Sequence, residues 1–178
     1  TQADKVFAVG PILRSRLADL LGKAPETVPM LVPGLAEIEP GLQPSQFTGI
    51  TFGRLDPEND RIKQGWLAAA AFASAYAEAQ KFPAKLQAYR SQPVLHLIGL
   101  AEAGGTEEAK MHQFVEGKAE AVLSLLSVPY DDDREQVFRQ LRSCSLAMML
   151  SWHEGFGLTG WEAIAAGVPL IVSENSGV

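Results

Sequence analysis

Two carboxylates, Glu154 and Glu162, flank a Gly-Phe-Gly turn in the segment SWHEGFGLTGWEAIAAGVPLIVSENSGV, from Ser151 to Val178. The apolar run Leu146 to Leu150 before it reads as a strand. Thr159 to Ala166 reads as a helix, ended by Gly167 with Pro169 just beyond. A second strand, Pro169 to Ser173, follows at once. A strand, a tight loop and a helix N-terminus together bind anions, because the first helical N–H groups lack partners and carry the positive end of the helix dipole. Gly155 and Gly157 let the backbone approach a ligand closely. The loop falls at the carboxyl end of a strand in a βαβ unit, where open α/β sheets hold their ligands. Taken alone, Thr159-Gly-Trp-Glu162 also fits a capping box, in which Glu162 merely satisfies a backbone amide. Glu154 alone reads equally as a solvated loop carboxylate.

The elements that must position these residues are short strands alternating with helices. Lys5 to Val9 reads as a strand, Pro11 to Leu21 as a helix, and Val28 to Val32 as a strand ended by Pro33-Gly34. Residues 36–46, with Pro40, Gly41 and Pro44, read as a linker. Thr48 to Phe52 is the next strand, followed by a polar loop from Gly53 to Arg61 and an Ala-rich helix from Gln64 to Gln80. On that helix Trp66, Leu67, Ala70, Ala71 and Ala75 read as the face against the sheet. Val94 to Ile98 is a strand, Glu107 to Glu120 a helix, Ala121 to Leu126 a strand and Asp132 to Ser143 a helix. Such alternation implies an α/β fold with a parallel, doubly wound sheet. Two regions are expected, residues 1–46 and residues 47–178.

Composition narrows the function classes. The 178 residues are 47% hydrophobic and 20% charged, as in a packed globular core. A net charge of −6 argues against nucleic acid, which needs clustered Lys and Arg. The single cysteine, Cys144, reads as buried and inert and fits a reducing compartment. No apolar run approaches the roughly 20 residues that span a bilayer, and no signal core opens the chain, so the expected location is cytoplasmic. His96, His112 and His153 lack ligand spacing, and His96 reads as a strand residue. Asp131-Asp132-Asp133 opens a helix, where Asp serves as cap and dipole partner rather than metal ligand. No metal site is expected.

The segment from Glu154 resembles the two-glutamate signature of retaining GT-B glycosyltransferases, specifically glycosyltransferase family 4. Glu154, Gly155, Phe156, Gly157, Glu162, Ala163, Ala165, Gly167 and Pro169 fall at the positions of that pattern. ADKVFAVGPILRSRL resembles the segment that closes the family's N-terminal domain. ITFGRLDPENDRIKQG resembles its first C-terminal strand with the phosphate loop, and LHLIGLAEAGG the strand and turn lining its donor pocket. Two departures stand out: the crossover is Pro33-Gly34-Leu35 without the usual asparagine, and the phosphate loop is long.

The resemblance implies the C-terminal, Rossmann-like half of a GT-B fold that binds a nucleotide-sugar donor without cofactor or metal. It implies an acceptor domain ahead of Thr1 and further elements after Val178, so that this chain alone is not expected to turn over. Arg54 and Lys63, with Arg61 as rival to Lys63, would hold the donor diphosphate together with the backbone from Gly157 to Thr159. Glu162 would accept hydrogen bonds from the ribose hydroxyls. Glu154, the implied catalytic residue, would lie by the donor sugar and steady positive charge at the anomeric carbon. His153, Gly155, Phe156 and Leu158 complete the implied donor site. The alternative is a non-catalytic GT-B-like module that binds nucleotide or nucleotide sugar as a sensor.

Overall fold

The computed structural model describes residues 5–34, 44–53, 60–82, 92–99, 104–118, 124–128 and 133–178. The chain opens with a strand, β1 (Ala8–Val9), a helix, α1 (Pro11–Leu21), and a strand, β2 (Met30–Leu31), which pairs in parallel with β1. Pro11 starts α1, where its missing N–H costs nothing, and Gly22 ends it in the left-handed region. This small unit has its own core of Ala8, Ala18 and Val28.

The remaining strands form a separate five-stranded sheet: β3 (Thr48–Phe52), β4 (Val94–Ile98), β5 (Ser124–Val128), β6 (Leu146–Met149) and β7 (Leu170–Val172). Their order is β5-β4-β3-β6-β7 and every pairing is parallel. Helices α2 (Asp60–Lys63), α3 (Gly65–Gln80), α4 (Thr106–Lys118), α5 (Arg134–Arg142) and α6 (Leu158–Ala165) lie between the strands in sequence. Helices α3 and α4 bury Phe72, Met111 and Val115 against Leu95 and Leu97. Helices α5 and α6 contribute Leu141 and Ala163 to a second cluster around Ile50 and Ile98. The sheet is therefore covered on both faces, as the strand-helix alternation predicts. Each large side chain buried in this way stabilises the fold by about 1.5–3 kcal/mol.

Three details depart from the sequence reading. The buried face of α3 is Gly65, Ala68, Ala69, Phe72 and Ala73, whereas Leu67 is half exposed and Ala71 and Ala75 face solvent. An alanine-rich helix has almost no apolar periodicity, so its rotation is set by where its few large residues pack, Phe72 in the core and Trp66 against Phe114. Phe72 lies over Gly49, where a Cβ would come 2.5 Å from the ring, and stacks on Phe47 at 5.6 Å. Next, β5 ends two residues later than expected, because pairing with β4 fixes its register from Val94↔Ser124 to Ile98↔Val128. Finally, the short helix α2 occupies the end of what reads as a plain polar loop.

Asp133 caps α5 by accepting a hydrogen bond from Glu135 N at 2.9 Å, as expected of an Asp at a helix start. Asp131 and Asp132 lie outside the described residues. Cys144 is buried behind α5, with its thiol directed at Gln140 O, and burial pushes its pKa up to about 11. It is therefore expected to resist thiol reagents at pH 8 and to react at an ordinary rate in denaturant, measurable by the time course of labelling. The folded thiol holds its proton up to about pH 11 and the unfolded one up to about 9. Its contribution to stability is complete below the lower value and is lost as pH rises through the higher one.

Candidate functional site

From β3 the chain moves outward to β4 and β5, then returns to β6 on the other side of β3. The carboxyl ends of β3 and β6 thus form a topological switch point, where connections leave in opposite directions and open a crevice. Gly53 follows β3 there, and the Gly-Phe-Gly loop follows β6.

Lys63 reaches this crevice from the end of α2. Its side chain lies across Gly53, whose φ of 144° is closed to residues with a Cβ; a Cβ there would stand 3.0 Å from Lys63 Cβ. Lys63 Nζ donates to Glu154 Oε2 at 2.6 Å, and the two side chains remain 33% and 22% exposed. Trp152 N donates to Ile62 O at 2.7 Å, which ties α2 to the loop after β6. Residues 91 positions apart are thereby brought into one ion pair.

The loop is braced from beneath and roofed from above. Gly157 has φ 87° and caps α6; a Cβ there would meet Met149 Cε at 2.6 Å and Ser176 Oγ at 3.0 Å. Ser173 Oγ donates to Ser151 O at 2.5 Å, and Glu154 N donates to Asn175 O at 3.3 Å. Above the loop, Leu13 of α1 packs on Gly155, and Phe156 is buried against Gly10. Phe156 meets the edge of Trp161 at 5.6 Å and 60°. Trp161 Nε1 in turn donates to Pro33 O at 2.9 Å.

Between roof and sheet lies a cavity of about 380 Å³. Lys63, Glu154, Gly155, Phe156, Gly157, Leu158 and Thr159 all line it, together with Phe52, Gly53, Met149 and Ser151. Among the described residues its wall includes neither His153 nor Glu162. Arg54, and the side chain of Arg61, fall outside the described residues. Helix α6 begins at Leu158 with Gly157 as its N-cap and no side-chain capping bond, so Thr159 sits inside the first turn and the capping box is not formed. Val9 and Leu13 also line the cavity and were missed by the sequence reading. Their signal was the Gly10-Pro11 step, a strand end running directly into a helix beside the crevice.

His96, Glu108 and His112 stand apart from the cavity wall. His96 lies within β4, where burial lowers its pKa and favours the neutral ring. The Glu108 carboxyl is held low, first by the hydrogen bond from Gly104 N at the start of α4, and it stands 3.7 Å from His112. Among the described residues no group of three or more His, Cys, Asp or Glu is placed to hold a metal ion. Among them, too, no helix is long and apolar enough to cross a membrane.

The fold has counterparts among solved structures. The fold is similar to the lipopolysaccharide outer core galactosyltransferase WaaB in its apo form, with TM-score 0.63 and 17% identity over 98% of this chain and 44% of that one. Anabaena HepE, solved in complex with UDP-glucose, gives TM-score 0.61 and 19% identity over 98% of this chain and 46% of its own. Sucrose-phosphate synthase from Thermosynechococcus elongatus gives TM-score 0.58 and 17% identity over 99% and 42%. The chain spans less than half the length of each, and at these identities the likeness shows the fold, a Rossmann-like half of GT-B. No curated protein matches the chain. All 178 residues match the family described as Family 4 Glycosyltransferase in conflict systems, and the chain belongs to that family.

Proposed function

We propose that this chain is the donor-binding half of a cytoplasmic retaining glycosyltransferase that takes its sugar from a nucleoside-diphosphate sugar. The observation that supports this most is the meeting of Lys63, Glu154 and the N-terminus of α6 around one cavity at the switch point. In transfer, the bond between the anomeric carbon and the phosphate oxygen breaks, and its electron pair leaves with the nucleoside diphosphate. The acceptor hydroxyl forms the new bond on the same face and passes its proton to the departing phosphate oxygen. Lys63, Arg54 and the first amides of α6 supply positive charge for the departing diphosphate, so that no metal or cofactor is needed. Glu154 stabilises the charge that develops at the anomeric carbon, and Glu162 accepts from the ribose hydroxyls. His153, beside Glu154, is a further candidate for the sugar. The acceptor is brought by another domain of the parent protein, facing the cavity from the side of Val9 and Leu13.

A second reading, a nucleotide-sugar sensor without transfer, draws on one observation: Glu154 is ion-paired with Lys63. Calorimetric titration of the intact parent with a panel of nucleoside diphosphates tests the shared part of both readings. Saturable binding is expected for one base, and it should persist in chelator. A folded protein that binds none of them would sink both.

A further inference from the structure

The cavity is walled by two units that belong to different sheets, and Trp161 is one of the residues that join them. It sits on α6, one turn beyond the Gly-Phe-Gly loop, yet its indole N–H reaches Pro33 O, 128 residues earlier and just past β2. Its ring also meets Phe156, which is buried against Gly10 at the end of β1. The loop and α6 thus grip the β1–α1–β2 unit at three points, Gly10 through Phe156, Leu13 through Gly155 and the crossover through Trp161. Val9 and Leu13 are the part of the cavity wall that the small unit supplies. Lys63, Glu154 and residues 157–159 belong to the other unit, where Lys63 is paired with Glu154 and Gly157 caps α6.

We infer that Trp161 is a positioning residue: its hydrogen bond to the Pro33 carbonyl fixes the small unit over the donor cavity, and so sets the reacting geometry without contributing to diphosphate affinity. Loss of the bond lets the wall move relative to the Lys63–Glu154 pair, while the pair itself stays intact. Misplacement by about 1 Å of groups that orient a reaction costs up to 100-fold in rate.

The inference rests on the donor-site reading, and its test keeps the two apart. In the intact parent, Trp161→Phe keeps an aromatic ring against Phe156 and removes the donor. A second variant replaces Trp161 by 3-benzothienylalanine, which keeps the shape of indole with sulfur in place of N–H. Both are expected to lower kcat roughly tenfold and to change nucleoside-diphosphate affinity less than about twofold, well below the tenfold that 1.4 kcal/mol represents. If the benzothienyl variant keeps the wild-type kcat, ring size rather than the hydrogen bond matters and the inference fails. It fails equally if kcat and diphosphate affinity fall together. Absence of nucleoside-diphosphate binding in the unmodified parent would instead overturn the donor-site reading.

Discussion

Lys63→Ala is expected to weaken nucleoside-diphosphate binding by about 100-fold, measured by calorimetry on the parent protein. Two effects add. The charge-assisted hydrogen bond from the lysine to a phosphate oxygen is worth about 1.5–3 kcal/mol, and each 1.4 kcal/mol is tenfold in affinity. Removing Lys63 also strips Glu154 of the cation 2.6 Å away, leaving a bare carboxylate in the wall that a dianion must enter. The screening of a partly exposed site keeps the second effect smaller than the first. Lys63→Arg should recover only part of the loss, because the planar fork must share the narrow space over Gly53 that the straight lysine stem fills. Wild-type affinity in Lys63→Ala would remove Lys63 from the site and return Arg61 as the phosphate-loop cation.

What the sequence revealed of this site follows from which interactions are local. Glu154, the Gly155-Phe156-Gly157 turn and the start of α6 lie within a few positions of one another, and their spacing alone gives a strand, a loop and a helix N-terminus. The parallel sheet was legible for the same reason, since each strand is bounded by its own turn residues. Lys63 is another case. The family resemblance alone singled it out as a candidate, and its contact with Glu154 depends on β3 and β6 lying side by side, a pairing formed across about 100 residues. The rotation of α3 was hidden because alanines on every side give no periodicity, and Phe72 declares its face only against Gly49 on another element. Trp161 has no role assigned by the sequence, and only the path of the crossover gives its indole a partner. The roof was the hardest part to see. Leu13 and Val9 carry no chemical signature, and they matter because α1 is laid over the loop after β6.

Glu154→Gln is expected to separate binding from chemistry. Glutamine keeps the size of the side chain and its ability to accept a hydrogen bond, and it removes the negative charge. If that charge stabilises the anomeric carbon as the diphosphate leaves, kcat should fall by about 100- to 1,000-fold, the usual cost of losing one aimed electrostatic group. Affinity for the nucleoside diphosphate should move the other way. In the free site Lys63 is held by Glu154, and a diphosphate must displace that carboxylate to reach the ammonium. A partly exposed pair of this kind is worth about 0.2–1 kcal/mol, so releasing Lys63 should tighten diphosphate binding by between about 1.4- and 5-fold. The two readouts are independent, because kcat reports the transition state and the diphosphate constant reports only the ground state. An enzyme must show the fall in kcat; a sensor has no kcat to lose and shows only the gain in affinity. A parent that still transfers sugar at the normal rate after Glu154→Gln would remove Glu154 from the chemistry and leave it as the counter-ion that keeps the phosphate lysine in place.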